Sequence, residues 1–254
     1  MPNAKIIAVT EPKLWTDAPG EPQKLTVDEF IAYVARVSNP GNQNNHLTAP
    51  KLLRYLAKHK HWSPFEMVNV VMEINTTRDI GRLILRHRSF TFQEFSQRYA
   101  DPTQDMGFVT RETRLQDTKN RQNSLEISDD VTYDAPMYEF HYDRENCITK
   151  ESVTYEKRNL KETWTAYQKN TTDAATAAYN WAIEHGIAKE QARAVLPEGL
   201  ILSRMYMAGS LRSWIHYCQL RMTEGTQKEH REIATDCWYE ITAQFPSLKD
   251  ALDL

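Results

Sequence analysis

Fourteen residues in the first half of the chain combine charge and aromatic rings at an unusual density. Residues 86–99 contain three arginines, one histidine, one glutamate, two serines, three phenylalanines and one tyrosine. A solvated helix face does not need so many aromatic side chains, and a core helix does not accept three guanidinium groups. Arginine forks bind phosphate oxygens in a bidentate manner, and aromatic side chains pack against planar rings. The stretch therefore predicts a site for a multiply charged, planar ligand, with a solvated helix face as the alternative for Arg86-His87-Arg88 alone.

The composition is that of an ordinary globular chain. It has 254 residues, of which 41% are hydrophobic and 26% charged, and these values fit one sizeable domain. The formal net charge of −3 gives no overall basic field for nucleic acid, so the basic residues of 82–98 suit a small anion better. Three widely spaced cysteines predict neither a disulfide framework nor a structural zinc site. The chain shows no long apolar run and no signal-peptide pattern, so we predict a cytoplasmic protein that binds no membrane and no nucleic acid.

The hydrophobic pattern predicts both strands and helices. Short strands are expected over residues 5–10 and 67–74. Helices are predicted after capping boxes at 26–29 and 226–229, from Pro50, from Thr76 or Thr77 to His87, and over 152–184, 187–197 and 210–221. The helix over 152–184 carries Trp164, Tyr167 and Trp181 on one side, where we expect them in the core or at a subunit interface. Residues 101–149 are polar, and we predict an irregular excursion on the surface or over the site.

The order of residues in the charged stretch resembles the signature of the flavin-dependent thymidylate synthases. That signature is Arg-His-Arg, seven residues, then Ser, usually followed by x-Arg-Tyr, and this chain has Arg86-His87-Arg88 followed by Ser96-Gln97-Arg98-Tyr99. Four further blocks resemble family motifs in the same order: Ala-Arg-Val-Ser at 35–38, His-x-Ser-Pro-Phe-Glu at 61–66, Ala-Arg-x-x-Leu-Pro at 192–197 and Arg-x-x-x-His-x-x-x-x-Arg at 212–221. The resemblance covers roughly residues 26–100 and 187–245.

The resemblance implies a fold and an activity. The expected fold is α+β, a single mixed α/β domain over residues 1–254 with an antiparallel-rich sheet, long helices and a polar excursion at about 101–149. The expected activity is methylation of dUMP to dTMP. Methylenetetrahydrofolate would supply the carbon, NADPH the hydride and FAD the redox cofactor. The expected assembly is a homotetramer with active sites shared between subunits.

The resemblance also implies roles for individual residues. For dUMP it implies Arg82, Glu94, Ser96, Arg98, Arg193 and Arg221, with Ser96 and Arg221 as the catalytic candidates. For FAD it implies Ser38, Ser63, Glu66, Arg86, His87, Arg88, Gln93, Glu94, Arg212, His216 and Leu220. His61 is expected beside the flavin or the folate, and no metal ion is expected. Taken without the resemblance, Ser38 is better explained as a helix-terminal hydrogen-bonding residue and Arg193 as a surface cation.

Several points stay open in the sequence. Leu83 stands where many family members have a glutamine that contacts the nucleotide. Gln227 is one candidate flavin contact just before the last helix, where an apparent insertion blurs the alignment. No base for Ser96 is evident, so we predict that Ser96 binds dUMP without covalent attachment. A nucleic-acid-binding module using 82–98 is one competing class, against which the acidic balance argues. A metal-dependent hydrolase built on His59, His61 and Glu66 is the other, and the spacing differs from HExxH.

Overall fold

A four-stranded antiparallel sheet forms the centre of the first of two units into which the chain divides. The computed structural model describes residues 3–16, 22–142, 148–249 and 251–252. The first unit consists of Met1–Gly107 with Ile201–Leu254, and the second consists of Phe108–Leu200. The mixed α/β fold with antiparallel sheets is confirmed, and the single domain over 1–254 stays a prediction. No helix among the described residues is long and apolar enough to cross a membrane.

The sheet is built from strands whose apolar residues alternate. It contains β1 (Asn3–Val9), β2 (Asn69–Thr77), β3 (Thr91–Glu94) and β8 (Leu202–Ser210), in the order β1-β2-β8-β3. Val70, Met72 and Ile74 of β2 are fully buried, as the period of two predicts for a strand with one face on the core. On β8, Met205 and Met207 follow the same alternation and are fully buried.

The described part of the first unit also contains seven helices. They are α1 (Val27–Ala35), α2 (Ala49–Lys58), α3 (Arg78–Ile84), α4 (Pro102–Asp105), α7 (Leu211–Arg221), α8 (Lys228–Gln244) and α9 (Pro246–Lys249). Short 3₁₀ helices occupy Pro40–Asn42, His46–Thr48 and Ser63–Met67. The predicted capping box of α1 is confirmed, because Thr26 Oγ1 accepts from the Glu29 N–H and the Glu29 carboxylate accepts from the Thr26 N–H. The packing face predicted for 210–221 is also confirmed, since Leu211, Trp214, Ile215 and Cys218 are fully buried.

Two helix boundaries predicted in this unit are wrong. The helix expected to reach His87 ends at Ile84, because its last turn tightens into hydrogen bonds from Arg86 N to Leu83 O and from His87 N to Ile84 O. The capping box expected at 226–229 is absent, since α8 begins at Lys228 with Gln227 as its N-cap and no side-chain cap bond. Gln227 Nε2 donates instead to the Glu229 carboxylate.

The second unit consists of two hairpins and a long helix. Strands β4 (Arg114–Gln116) and β5 (Ser124–Glu126) pair with each other, as do β6 (Thr132–Tyr142) and β7 (Ile148–Asn159). Helix α5 (Leu160–Glu184), the short α6 (Lys189–Ala192) and the 3₁₀ helix Arg193–Val195 follow. Over the described residues of 101–149 the predicted irregular structure is therefore wrong, and so is the helix start at 152. Residues 152–159 pair with 132–139, and the Asn159 side chain caps α5 by accepting from the Glu162 N–H.

One face of α5 exposes large aromatic side chains. Trp164, Tyr167 and Trp181 are 45%, 62% and 56% exposed, whereas Tyr179 of the same helix is fully buried. The core placement expected for these three residues is wrong for the described chain, and the subunit interface stays a prediction. The helix end is as predicted, with His185 at the C-cap and Gly186 in the left-handed region at a φ of 76°.

Candidate active site

The first group of predicted site residues lines a cleft beside the 3₁₀ helix Ser63–Met67. The cleft measures about 590 Å³ and is lined by Ala35, Leu56, Lys60, His61, Trp62, Ser63, Pro64, Glu66 and Arg212. The wall thus collects four residues that the resemblance assigned to flavin or folate: His61, Ser63, Glu66 and Arg212. Pro64 lies in the first turn of the short helix, where its fixed φ suits the helical backbone.

An ion pair orders one wall of this cleft. Arg212 Nη1 donates to Glu66 Oε1, and the Ser210 hydroxyl, followed by Arg212, lowers the pKa of Glu66. Arg212 Nε is buried and has no hydrogen-bond partner within the described chain. The His216 ring lies edge-on to Trp62 at 5.0 Å. Burial, followed by the Arg212 charge, lowers the pKa of His216 and favours its neutral form. The wall therefore offers an ordered guanidinium group paired with Glu66, and a neutral imidazole packs against its Trp62 side chain.

The second group lies in a groove formed by β3 and β8. Its lining residues are Gln93, Glu94, Phe95, Ser96, Arg204 and Tyr206. Glu94 Oε1 accepts from the Ser203 hydroxyl at 3.1 Å and lies 3.7 Å from Arg78 Nη1. Ser96 Oγ accepts from the Arg98 backbone N–H at 3.4 Å, and no carboxylate or imidazole is hydrogen-bonded to it among the residues described. The groove can bind a polar ligand, but it does not activate Ser96 as a nucleophile.

The third group pairs His87 with Arg221. Arg221 Nε donates to His87 Nε2 at 3.0 Å. Burial, followed by the Arg221 charge, lowers the pKa of His87, in agreement with a neutral ring that accepts this hydrogen bond. In the part of the chain that the structure describes, no carboxylate forms an ion pair with Arg221. Among the described residues, its positive charge is therefore not compensated by a carboxylate.

The chain matches one protein family over most of its length. The family model described as thymidylate synthase complementing protein matches residues 23–247. A probable flavin-dependent thymidylate synthase of Paramecium bursaria Chlorella virus 1 is 40% identical over 99% of both chains. A flavin-dependent thymidylate synthase of Synechocystis sp. is also 40% identical, again over 99% of both chains. The chain belongs to the flavin-dependent thymidylate synthase family.

Solved structures with a low sequence identity support the fold of this flavin-dependent thymidylate synthase family member. A UMP/dUMP methylase, PolB from Streptomyces cacaoi, crystallised with 5-Br UMP, superposes with a TM-score of 0.70 at 20% identity. It covers 99% of this chain and 93% of its own. A second structure of that methylase, bound with 5-Br dUMP, gives a TM-score of 0.68 at 21% identity. At these identities the likeness concerns the fold alone.

The remaining predicted residues of this family member lie outside the three groups. Ser38, Arg82, Arg86, Arg88, Arg98 and Leu220 are exposed side chains of the first unit. Arg193 belongs to the second unit, where its Nε donates to the Glu190 carbonyl. Leu83 is partly buried and packs against the core. The leucine at this position therefore makes apolar packing contacts with the core.

Sequence reasoning missed four residues that the structure places in these groups. Arg204 and Tyr206 line the groove, and the period-two pattern of β8 would have put them on one face. Tyr217 and His230 pack beside His87, with ring centroids 4.9 Å and 6.4 Å from it. His230 carries no motif signal, because its neighbours in space lie on α7 and in the turn after α3.

The histidines at the end of α2 were the basis of the metal alternative. The His59 and His61 rings lie 6.3 Å apart, and both face the ring of Tyr55. Over the described ranges, no group of three or more histidine, cysteine, aspartate or glutamate side chains has an arrangement suited to a metal ion.

Proposed function

We propose that the protein methylates dUMP to dTMP, with FAD as its cofactor, methylenetetrahydrofolate as the carbon donor and NADPH as the source of hydride. The observation that carries the proposal is the match over 99% of the chain to enzymes named for this activity, at 40% identity. The three groups of site residues support it, because they combine fixed cations with neutral imidazoles and aromatic surface. We also propose a cytoplasmic location.

The residues around the first cleft fit a flavin cofactor. Arg212 Nε is buried without a hydrogen-bond partner among the described residues, so a donor is available for an acceptor atom of a ligand. The exposed guanidinium groups of Arg86 and Arg88 suit a pyrophosphate. We therefore propose that FAD is held by Ser38, Ser63, Glu66, Arg86, His87, Arg88, Gln93, Glu94, Arg212, His216 and Leu220. FAD supplies the redox chemistry, and the protein supplies binding, orientation and charge.

For dUMP we propose a division between phosphate and ring contacts. Arg98 and Arg193 are the proposed phosphate ligands, because a guanidinium fork matches phosphate oxygens better than a point charge does. Arg82, Glu94 and Ser96 complete the proposed nucleotide site. Arg221 is proposed at the pyrimidine, where its uncompensated charge would stabilise negative charge that develops on the ring. His61 is the proposed contact of the folate.

Thiol attack on the pyrimidine finds no support in the two cysteines that the structure describes. Cys218 and Cys237 are fully buried, and burial raises the pKa of each thiol above its usual value. A buried thiol of this kind is a poor nucleophile, because the thiolate is the reactive form. Cys147 lies outside the described residues. The chemistry that we propose is therefore positioning of reactants together with preorganised charge.

Ser96→Ala is expected to leave a folded enzyme that still forms dTMP. Removing a hydroxyl that binds a charged ligand costs about 1.5–3 kcal/mol, which corresponds to roughly a 10- to 100-fold rise in KM for dUMP. Steady-state kinetics at varied dUMP measure this change, with the exposed Ser128→Ala as a matched control. Mass spectrometry of wild-type protein quenched during turnover is expected to show no uracil adduct on Ser96. A trapped adduct would contradict the role that we propose.

Absorbance spectra of purified protein loaded with FAD test the proposed activity. NADPH should bleach the flavin bands anaerobically, and dUMP with methylenetetrahydrofolate should restore them and yield dTMP. Protein that retains no flavin would exclude the oxidoreductive mechanism. Protein that retains flavin but forms no dTMP would direct attention to Leu83 and the nucleotide site.

We also propose a homotetramer with shared active sites, in which the aromatic face of α5 contacts another subunit. This face carries Trp164, Tyr167 and Trp181, and it borders a groove lined by Tyr167, Asn170, Thr171, Ala174, Ala175, Ala178 and Val195. Exposed aromatic groups of this size are typical of interfaces.

Tyr167→Glu is therefore expected to shift the protein from tetramer to smaller species, because a carboxylate buried at an interface without a partner is strongly unfavourable. Multi-angle light scattering after size exclusion measures the mass. Tyr239→Glu is the matched control, since Tyr239 is a similarly exposed tyrosine on α8. An unchanged mass for Tyr167→Glu, with native melting behaviour, would rule out the α5 face as the contact.

A further inference from the structure

A buried polar cluster adjoins Arg221, and two of its members, Tyr217 and His230, match no fixed position of a motif. We propose that Tyr217 and His230 are positioning residues, which hold His87 so that His87 in turn orients the guanidinium of Arg221. The proposal deepens the proposed function and rests on it, because the value of an oriented Arg221 depends on the charge that the reaction develops.

The first step is the hydrogen bond between Arg221 and His87. Arg221 Nε donates to His87 Nε2 at 3.0 Å, so His87 must be neutral, with its single proton on Nδ1. This bond occupies the Nε–H of the guanidinium and fixes the plane of the group. The two terminal amino groups of Arg221 are then presented as a fork with a defined direction.

The second step is the packing that holds His87. The ring of Tyr217 lies edge-on to the His87 ring at 4.9 Å, and the Phe90 ring is edge-on at 6.5 Å. The hydroxyl of Tyr217 and Nε2 of His230 lie 3.1 Å apart and share a hydrogen bond. Tyr217 and His230 are each only 1% exposed. A single buried hydrogen bond thus fixes the tyrosine ring against which His87 rests.

The third step is the connectivity of the cluster. Tyr217 and Arg221 lie four residues apart on α7 and therefore share a helix face, while His230 comes from the first turn of α8. Rotation of Tyr217 would release the His87 ring, and with it the acceptor of Arg221. His230 reaches Arg221 only through these intermediates, so its expected role is positioning rather than contact with substrate.

The fourth step is charge. The groups that face His87 are Arg221 and Tyr217 from α7 and His230 from α8. Burial, followed by the charge of Arg221 and by His87, lowers the pKa of His230 to about 4, and burial raises the pKa of the Tyr217 hydroxyl. The cluster is therefore uncharged near neutral pH, apart from Arg221. Protonation of His87 would remove the acceptor and place a second cation beside Arg221, so a neutral surrounding preserves the geometry.

Three variants test the proposal in the holoenzyme. Tyr217→Phe removes one oxygen and keeps the ring, and His230→Phe removes the hydrogen bond and fills the space. Both should lower kcat by about 10- to 100-fold, with a change in KM for dUMP below about threefold, because a small misplacement of a catalytic group acts on the transition state. His230→Gln keeps a polar atom near the position of Nε2 and should retain kcat within about threefold. Tyr239→Phe, at an exposed tyrosine of α8, is the control and should match the wild type.

A second readout does not depend on turnover. The Arg221 Nε–H resonance, assigned by its loss in Arg221→Lys, should exchange with water at least about tenfold faster in Tyr217→Phe than in the wild type, since its acceptor is no longer fixed. If wild-type protein forms no dTMP, the proposed function fails, and the exchange rate still decides the positioning role. If His230→Phe does not fold, the kcat and the exchange rate of Tyr217→Phe decide whether the proposal holds. A folded Tyr217→Phe variant with wild-type kcat and wild-type exchange would overturn the proposal.

Discussion

Replacing Arg221 by lysine should lower kcat for dTMP formation by about 10²- to 10³-fold, the usual effect of removing a donor that stabilises transition-state charge. Lysine keeps the positive charge but lacks the Nε–H that Arg221 donates to His87 at 3.0 Å. It also lacks the planar fork and concentrates its charge on one nitrogen. Because the interaction of Arg221 with the pyrimidine gains strength as negative charge develops on the ring, kcat should fall more than the affinity for dUMP does.

Single-turnover oxidation of the reduced flavin, together with calorimetric binding of dUMP, separates these two effects. Arg158→Lys is a matched control, since Arg158 is an exposed arginine of β7 that pairs with Glu156 and lies in neither cleft nor groove. The control should fold like the wild type, because surface substitutions of this kind change stability by about 0.5 kcal/mol or less, and its rate should stay within about twofold of the wild-type rate. A folded Arg221→Lys variant that turns over at the wild-type rate would remove Arg221 from the catalytic machinery.

The elements that local patterns specify were predictable, and those that depend on distant pairing were not. The alternation along β2 and the apolar spacing of α7 each place a hydrophobic face on the core, and the structure buries both faces. Residues 152–159 have a sequence that suits either a helix or a strand. Their strand forms because they pair with 132–139, and tertiary pairing of this kind overrides local preference.

The predicted site shows the same limit. The motif spacing predicted His61, Ser63, Glu66 and Arg212 as site residues, and all four line one cleft. It did not find Tyr217 or His230, although Tyr217 lies within a motif block. A buried polar pair leaves no periodic pattern in the sequence, because each side chain finds its hydrogen-bond partner on another helix. The assignment of the individual residues to dUMP, FAD and folate stays a proposal.

Gly209→Ala should destabilise the protein by about 2 kcal/mol, within the usual range for an extra methyl group forced into a packed core. A Cβ at Gly209 would lie 2.5 Å from Cδ1 and 2.8 Å from Cε1 of Phe90. Phe90 cannot yield easily, because it is only 7% exposed and its ring meets the Trp214 ring edge-on at 4.8 Å. Gly209 also lies in β8, between β2 and β3, so the backbone has no freedom to retreat.

Thermal unfolding measures this effect, and a fall of roughly 4–8 °C in Tm is expected for a chain of this size. Gly225→Ala is the matched control, because a Cβ at Gly225 meets nothing within 4 Å, and its Tm should stay within about 1 °C of the wild type. The origin of the effect can be isolated in a Phe90→Leu background, which removes the ring that the new methyl group would strike. There Gly209→Ala should cost less than in the wild type, because the two positions are in contact and their effects are coupled. Equal costs in the two backgrounds would show that the Phe90 ring is not the reason for glycine at this position.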